Sequence, residues 1–349
     1  MSKKVKVAVV GASGYSGREL LRLLLLHPHA ELVAVTSRTH AGKPLISEFP
    51  RFRGVSNADA LSFVSPDVAA MKEAGAETAF LALPHGLAHE YAIPLLQAGL
   101  QVIDLSADFR LRDAAVYQDF YGHVHPAPEL LAEAVYAQPE LNGGAIKGAK
   151  LLACPGCYPT SMLIPLAPLF RAGLLDDSPI SVSSMSGVSG AGRKESVPLM
   201  FCECNESVRS YGVPKHRHLS EVGQELELAA GHKVRISFVP HLVPINQGIC
   251  TTIFASLRPG KTLADVEQAL TSTYAGRPFV RLLGKNQCPD TKNVSGTNFI
   301  DVGWSYDERA GQLILMSAED NLIKGAAGQA VQNFNLAHGF AETSGLILG

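Results

Sequence analysis

The sequence has no excess of either charge and no long apolar run. Its 30 Lys and Arg nearly balance 32 Asp and Glu, for a formal net charge of −2. Electrostatics therefore give no reason to expect a nucleic-acid or anionic-membrane partner, although a local basic pocket for a small anion is compatible with that balance. The early apolar run Leu20 to Leu26 is interrupted by Arg22 and stopped by His27-Pro28, well short of the roughly 20 residues a bilayer span needs. The start, Met1 to Lys6, is basic but leads only into a strand-length apolar run and glycines, which argues against a signal peptide. Six cysteines in 349 residues are too sparse for a secreted disulfide scaffold, so reduced thiols in a cytoplasmic protein are expected. Internal repeats and low-complexity tracts are also missing.

What is present is the material for a well-buried core: 46% hydrophobic and 18% charged residues, in a chain long enough for two domains. Val5 to Val10, Leu32 to Thr36, Thr78 to Leu83 and Leu100 to Leu105 read as short buried strands. Helical stretches lie at Glu19 to Leu26 and Leu87 to Gln97. Strands alternating with helices predict parallel βαβ units, hence an α/β, Rossmann-type doubly wound sheet. From Ile180 the pattern changes. Ile180 to Ser186, Val234 to Val239, Ile249 to Leu257 and Leu313 to Met316 are strand candidates, several of which alternate apolar with small polar residues, and Leu219 to Ala229 and Leu263 to Tyr274 read as helices. That pattern predicts a second, α+β catalytic domain with a mixed sheet. The helical tail Ile323 to Phe340 is expected to rejoin the first domain. The expected division is residues 1–153 with 321–349, and 154–320.

Gly11-Ala12-Ser13-Gly14-Tyr15-Ser16-Gly17 follows the first strand and opens a helix. In that context, backbone N–H groups and the helix dipole stabilise a pyrophosphate. The second strand ends Thr36-Ser37-Arg38, where NAD-binding chains usually carry an acidic residue for the ribose. Arg38 is instead suited to a 2′-phosphate, so NADP is expected.

Cys154-Pro155-Gly156-Cys157-Tyr158-Pro159-Thr160 precedes an apolar stretch, and Pro159 suits a first helical turn. Cys157 should therefore sit at a helix N-terminus, which favours its thiolate. Pro165 and Pro168 predict that this helix is short or kinked. In Lys215-His216-Arg217-His218-Leu219-Ser220-Glu221, His218 and Glu221 are three residues apart, so the carboxylate can orient the imidazole if a helix begins there. An exposed basic turn is the other reading of that stretch. Ser186-Gly187-Val188-Ser189-Gly190-Ala191-Gly192-Arg193 is dense enough in glycine to let backbone approach a ligand, or to form a flexible loop.

These four stretches, with Asn321-Leu322-Ile323-Lys324-Gly325-Ala326-Ala327-Gly328, occur in an order that resembles the N-acetyl-γ-glutamyl-phosphate reductases of arginine biosynthesis, over essentially the whole chain. That family is similar in architecture to aspartate-semialdehyde dehydrogenase. The resemblance implies attack by the Cys157 thiolate on an acyl phosphate, release of phosphate, and reduction of the thioester by NADPH to N-acetylglutamate 5-semialdehyde. One of His216 and His218 would protonate the oxyanion, with His218 favoured because Glu221 can support it. Asn321 and the loop containing Gly187 would line the nicotinamide end, and Arg110 and Arg193 are candidates for substrate carboxylate or phosphate. A homo-oligomer, dimer or tetramer, is also implied. The family pattern has asparagine where this chain has Cys154. The resulting C-x-x-C raises reversible oxidation of Cys154 and Cys157 as an expectation, against Cys154 as a small buried filler. Other readings are a dithiol–disulfide oxidoreductase, a zinc module on Cys154, Cys157, Cys202 and Cys204, an NADP-binding redox sensor, an aspartate-semialdehyde dehydrogenase, and a paralogue acting on a longer or carrier-linked, aminoadipyl-type acyl phosphate.

Overall fold

The computed structural model describes residues 4–346, so Met1 to Lys3 of the basic start and residues 347–349 of the tail lie outside it. The chain divides into two compact units, one of residues 1–115, 124–156 and 326–349, the other of residues 116–123 and 157–325.

The first unit carries β1 (Val5–Val10), β2 (Ala30–Thr36), β3 (Phe63–Val64), β4 (Thr78–Leu81), β5 (Gln101–Asp104), β6 (Val135–Tyr136) and β7 (Leu151–Ala153). They pair in the order β3-β2-β1-β4-β5-β7-β6, every pair parallel. Val7, Ala8, Val9, Ala79, Phe80, Val102 and Ile103 have no exposure, as strands covered on both faces require. The helix Tyr15–Leu25 follows β1 and packs against Gly328–His338 from the far end of the chain. Within the unit that late helix is held by polar side chains. Asn333 Nδ2 donates to Ala137 O at 2.8 Å, Gln332 Nε2 donates to Glu140 Oε1 at 2.8 Å, and Asn335 Oδ1 lies 2.9 Å from His27 Nε2.

The second unit carries β8 (Ile180–Gly187), β9 (Arg209–Ser210), β10 (Ile236–Val243), β11 (Ile249–Ala255), β12 (Val280–Lys285), β13 (Ile300–Asp307) and β14 (Gln312–Glu319). Their order is β12-β13-β14-β11-β8-β10-β9. The β8–β10 and β12–β13 pairs are parallel and the others antiparallel. The fold class is therefore the predicted one, a parallel doubly wound sheet and a mixed α+β sheet. Three of the mixed sheet's strands were not anticipated: β9 has only two residues, and Gly284 and Gly303 interrupt the apolar pattern of β12 and β13.

The helix after Cys157 departs from expectation. It runs without a break through 15 residues, Cys157–Arg171, with Pro165 and Pro168 both inside. A proline has no N–H for the carbonyl four residues back, which leaves Ser161 O and Ile164 O to be satisfied. The Ser317 hydroxyl donates to Ser161 O at 2.7 Å, and the Tyr274 hydroxyl donates to Ile164 O. Both freed carbonyls thus find side-chain donors from β14 and from the helix Leu263–Tyr274, and the helix continues.

Candidate active site

The glycine loop in the first unit has the shape that a phosphate cradle needs. Gly11 has φ +82°, and a Cβ there would lie 2.5 Å from Ala82 O at the end of β4. A Cβ on Gly17 would lie 2.7 Å from Ala12 backbone. Only glycine fits either place. Gly14 caps the helix that starts at Tyr15 with Ser16, and no side chain caps its first turn, so the helix end presents backbone N–H groups to a ligand. Ser13 and Ser37, distant in sequence, meet with hydroxyls 3.2 Å apart. Arg38 reaches the helix His89–Gln97, where its guanidinium donates to Glu90 Oε2 at 2.7 Å and to the Tyr91 hydroxyl at 2.7 Å. The Arg38–Glu90 pair is exposed and exchangeable. These residues fit a dinucleotide.

The loop after β4 is held from beneath. The buried Asp108 carboxylate accepts the N–H groups of Gly86 at 2.6 Å and Ala88 at 2.8 Å. Asp104 beside it is pushed up to about 7, by burial first and then by the charge of Asp108. Arg110 is also buried. It donates to Cys154 O at 2.7 Å and Leu105 O at 2.8 Å, so its guanidinium ties the ends of β5 and β7 together. Cys154 has no exposure, its Sγ accepts from Asn333 Nδ2 at 3.4 Å, and burial pushes its thiol up to about 12. A thiol held in that state is a poor partner in disulfide exchange.

In the second unit, Cys157 is the first residue of its helix and is half-buried. Gly325 presses against it: a Cβ there would lie 2.6 Å from Cys157 Cβ. Gly325 belongs to a π-helical turn, Ile323–Ala327, and its N–H bonds to Asp320 O, five residues back. The turn begins just after β14, where Asp320 accepts from Leu322 N, Ile323 N and Gly296 N.

The histidine cluster is not an exposed basic turn. Lys215 Nζ donates to Asp119 Oδ1 at 2.7 Å and Arg217 lies over the Tyr121 ring, while both histidines turn inward. His216 meets Tyr158, Tyr211 and Phe238 edge-on, with centroids 5.5, 5.6 and 5.5 Å away. Burial, and then the charge of Arg217, pushes His216 down to about 4. Its Nδ1 accepts the His218 N–H at 3.2 Å, so the single proton of the neutral ring is on Nε2. His218 opens the helix His218–Ala230, with Nε2 3.9 Å from Glu221 Oε1 in the first turn.

Tyr211, which the sequence pattern did not single out, lies 2.8 Å from Tyr158, hydroxyl to hydroxyl. Burial pushes Tyr211 up to about 12 and Tyr158 higher still, and the charge of Cys157 adds to both shifts. No local signal marks Tyr211; its place depends on β9 pairing with β10, where the Tyr211 N–H donates to Pro240 O.

Gly187 ends β8 where a Cβ would lie 2.7 Å from Asn246 O. Asn321 accepts the Gly248 N–H at 2.7 Å and donates to Ser189 Oγ at 3.0 Å. The glycine-rich loop, the segment after β10 and Asn321 thus form one polar corner. Arg193 lies exposed on the loop beyond it. Cys202 and Cys204 are on a short helix, Phe201–Cys204. Among the described residues, no three His, Cys, Asp or Glu side chains converge to hold a metal ion, and no helix is long and apolar enough to cross a membrane.

Comparison with known proteins agrees with this layout. Residues 6–149 match the semialdehyde dehydrogenase NAD binding domain and residues 157–321 match the semialdehyde dehydrogenase dimerisation domain. N-acetyl-gamma-glutamyl-phosphate reductase of Akkermansia muciniphila is 58% identical over 99% of both chains. The protein of that name from Moorella thermoacetica is 46% identical over 98% of both. Among solved structures, aspartate semialdehyde dehydrogenase II from Vibrio cholerae superposes with a TM-score of 0.72 at 19% identity, covering 96% of this chain and 98% of that one. The Candida albicans enzyme solved with NADP gives 0.69 at 18%, covering 95% and 98%. With one relative 58% identical end to end and both halves matching semialdehyde dehydrogenase domains, the chain belongs to the N-acetyl-γ-glutamyl-phosphate reductase family.

Proposed function

We propose that this protein reduces N-acetyl-γ-glutamyl phosphate to N-acetylglutamate 5-semialdehyde, releasing phosphate, with NADPH as the hydride source. The observation that carries the substrate is the 58% identity, over 99% of both chains, to a reductase of that name. NADPH over NADH is supported by Ser37 and Arg38 at the end of β2, where the serine hydroxyl meets Ser13 and the guanidinium can exchange Glu90 for a phosphate.

Cys157 is the nucleophile in this reading. Its thiolate bonds to the acyl carbon, and phosphate departs with the electron pair of the broken C–O bond. Hydride adds to the carbonyl of the thioester, and the tetrahedral intermediate expels the thiolate to give the aldehyde. The helix start stabilises the anionic sulfur before and after. His218, backed by Glu221, gives a proton to the developing oxyanion and takes it back as the C–S bond breaks. His216, neutral with its proton on Nε2, donates a hydrogen bond without carrying charge. Tyr158 and Tyr211 remain protonated donors. Asn321 and Gly187 shape the nicotinamide end. Arg193 is the cation assigned to the substrate's anionic groups, whereas Arg110 has the structural task described above.

A cytoplasmic homo-oligomer completes the proposal. The face of the mixed sheet opposite the Cys157 helix carries Met185, Cys250, Phe254, Ile314 and Met316 alongside Ser181, Ser183 and Thr252, a mixed apolar and small polar surface suited to a second copy.

The test is the reaction in reverse. N-acetylglutamate semialdehyde, NADP and phosphate should yield reduced nicotinamide absorbance that depends on phosphate and vanishes in Cys157→Ser. Signal only with aspartate or aminoadipate semialdehyde reassigns the substrate, and full turnover by Cys157→Ser removes the nucleophile.

A further inference from the structure

The mechanism above leaves one buried acid beside the nucleophile without a role. Glu319 is the last residue of β14 and has no exposure. Strand alternation fixes the way it points. Ser317, two residues earlier, donates its hydroxyl to Ser161 O in the Cys157 helix, so residue 319 faces the same helix, nearer its start. Gly325 shows how near. A Cβ on that glycine would lie 2.6 Å from Cys157 Cβ and 3.1 Å from Glu319 Oε1. The carbon bearing the sulfur and a carboxylate oxygen therefore crowd one methyl-sized point, which only a glycine leaves open.

Other ionisable groups lie around this point, each with contacts of its own. The Asp320 carboxylate accepts three backbone N–H groups. Lys324 Nζ lies over the Phe279 ring at 5.9 Å. The Tyr158 and Tyr211 hydroxyls meet each other, Arg217 lies over Tyr121, and His218 is beside Glu221, with His216 neutral.

We propose that Glu319 is a positioning residue that governs the ionisation of Cys157, the carboxylate and the thiol holding one proton between them in the free enzyme. The helix start favours a thiolate, while a carboxylate this close opposes a second negative charge, strongly so where water is excluded. The two groups titrate as a pair. The consequence is a resting sulfur kept largely protonated, less open to oxidants, and more nucleophilic once ionised because it is more basic. This inference rests on Cys157 being the nucleophile.

The experiment follows alkylation of Cys157 by iodoacetamide across pH, read on its peptide by mass spectrometry in the full-length enzyme. In Glu319→Gln the midpoint should fall by about one pH unit or more, with alkylation near pH 7 faster by about tenfold. Glu319→Asp, which keeps the charge, should stay close to the parent midpoint. If the glutamine variant does not fold, Glu319→Met has similar length without polar atoms and should show the same shift. An unchanged midpoint in the uncharged variants, or the same shift in the aspartate variant, overturns the proposal. Failure of both uncharged variants to fold makes Glu319 a structural group and overturns it equally. Turnover by Cys157→Ser would refute the nucleophile without altering the alkylation result, so the two failures are separable.

Discussion

Replacing Gly325 by alanine tests the packing against Cys157, the proposed nucleophile. The added methyl would lie 2.6 Å from Cys157 Cβ, 3.0 Å from Cys157 Cα and 3.1 Å from Glu319 Oε1. Carbon–carbon contacts relax only near 3.5 Å, so about 1 Å has to be found. A surface side chain would swing aside, but here the nearest atoms belong to the first residue of a buried helix and to the end of a strand. Overpacking of this kind costs about 1–3 kcal/mol in stability, which a domain of this size tolerates. Catalysis is less forgiving, because a nucleophile misplaced by about 1 Å loses on the order of 100-fold in rate. The expected result is a folded protein, melting a few degrees lower, whose phosphate-dependent oxidation of the semialdehyde falls about 100-fold in kcat. The KM for NADP should change little. Activity within twofold of the parent would refute the idea that the π-helical turn fixes Cys157.

Two further predictions come from the charged groups. His216 is held at about 4 in the folded state against 6.5 in the unfolded chain, so the unfolded chain takes up the proton first. Stability is therefore full above about pH 6.5 and declines as pH falls towards 4, by up to about 3 kcal/mol. His216→Phe keeps the ring packing and should lose less between pH 7.5 and 4.5; equal urea midpoint shifts in both proteins would count against it. Arg38→Gln should raise the KM for NADPH by about tenfold and leave that for NADH unchanged, and an equal rise for both cofactors would remove the 2′-phosphate assignment.

Much of this protein is written in short-range patterns. A strand followed by Gly11 and Gly17 specifies a cradle because only glycine fits either place, Gly17 against nearby Ala12 and Gly11 against Ala82 across the sheet. Cys157 at a helix start was legible from Pro159, and His218 with Glu221 from their spacing. The helix beyond Cys157 was not. Its prolines predict a short or kinked helix, and Ser317 and Tyr274, more than 100 residues away, supply the hydroxyls that satisfy the two freed carbonyls along its 15 residues. For Arg110 the sequence shows a charge but not the two carbonyls, Leu105 O and Cys154 O, to which it donates.

Local order therefore determined the fold class, the cofactor loop and the place of Cys157 at a helix start, since each rests on patterns of neighbouring residues. The tertiary structure alone decided which groups surround Cys157, among them Gly325, Glu319 and Tyr211, with His216 made neutral by burial. Burial and the approach of distant strands set those energies, and neither can be read from neighbours in the chain.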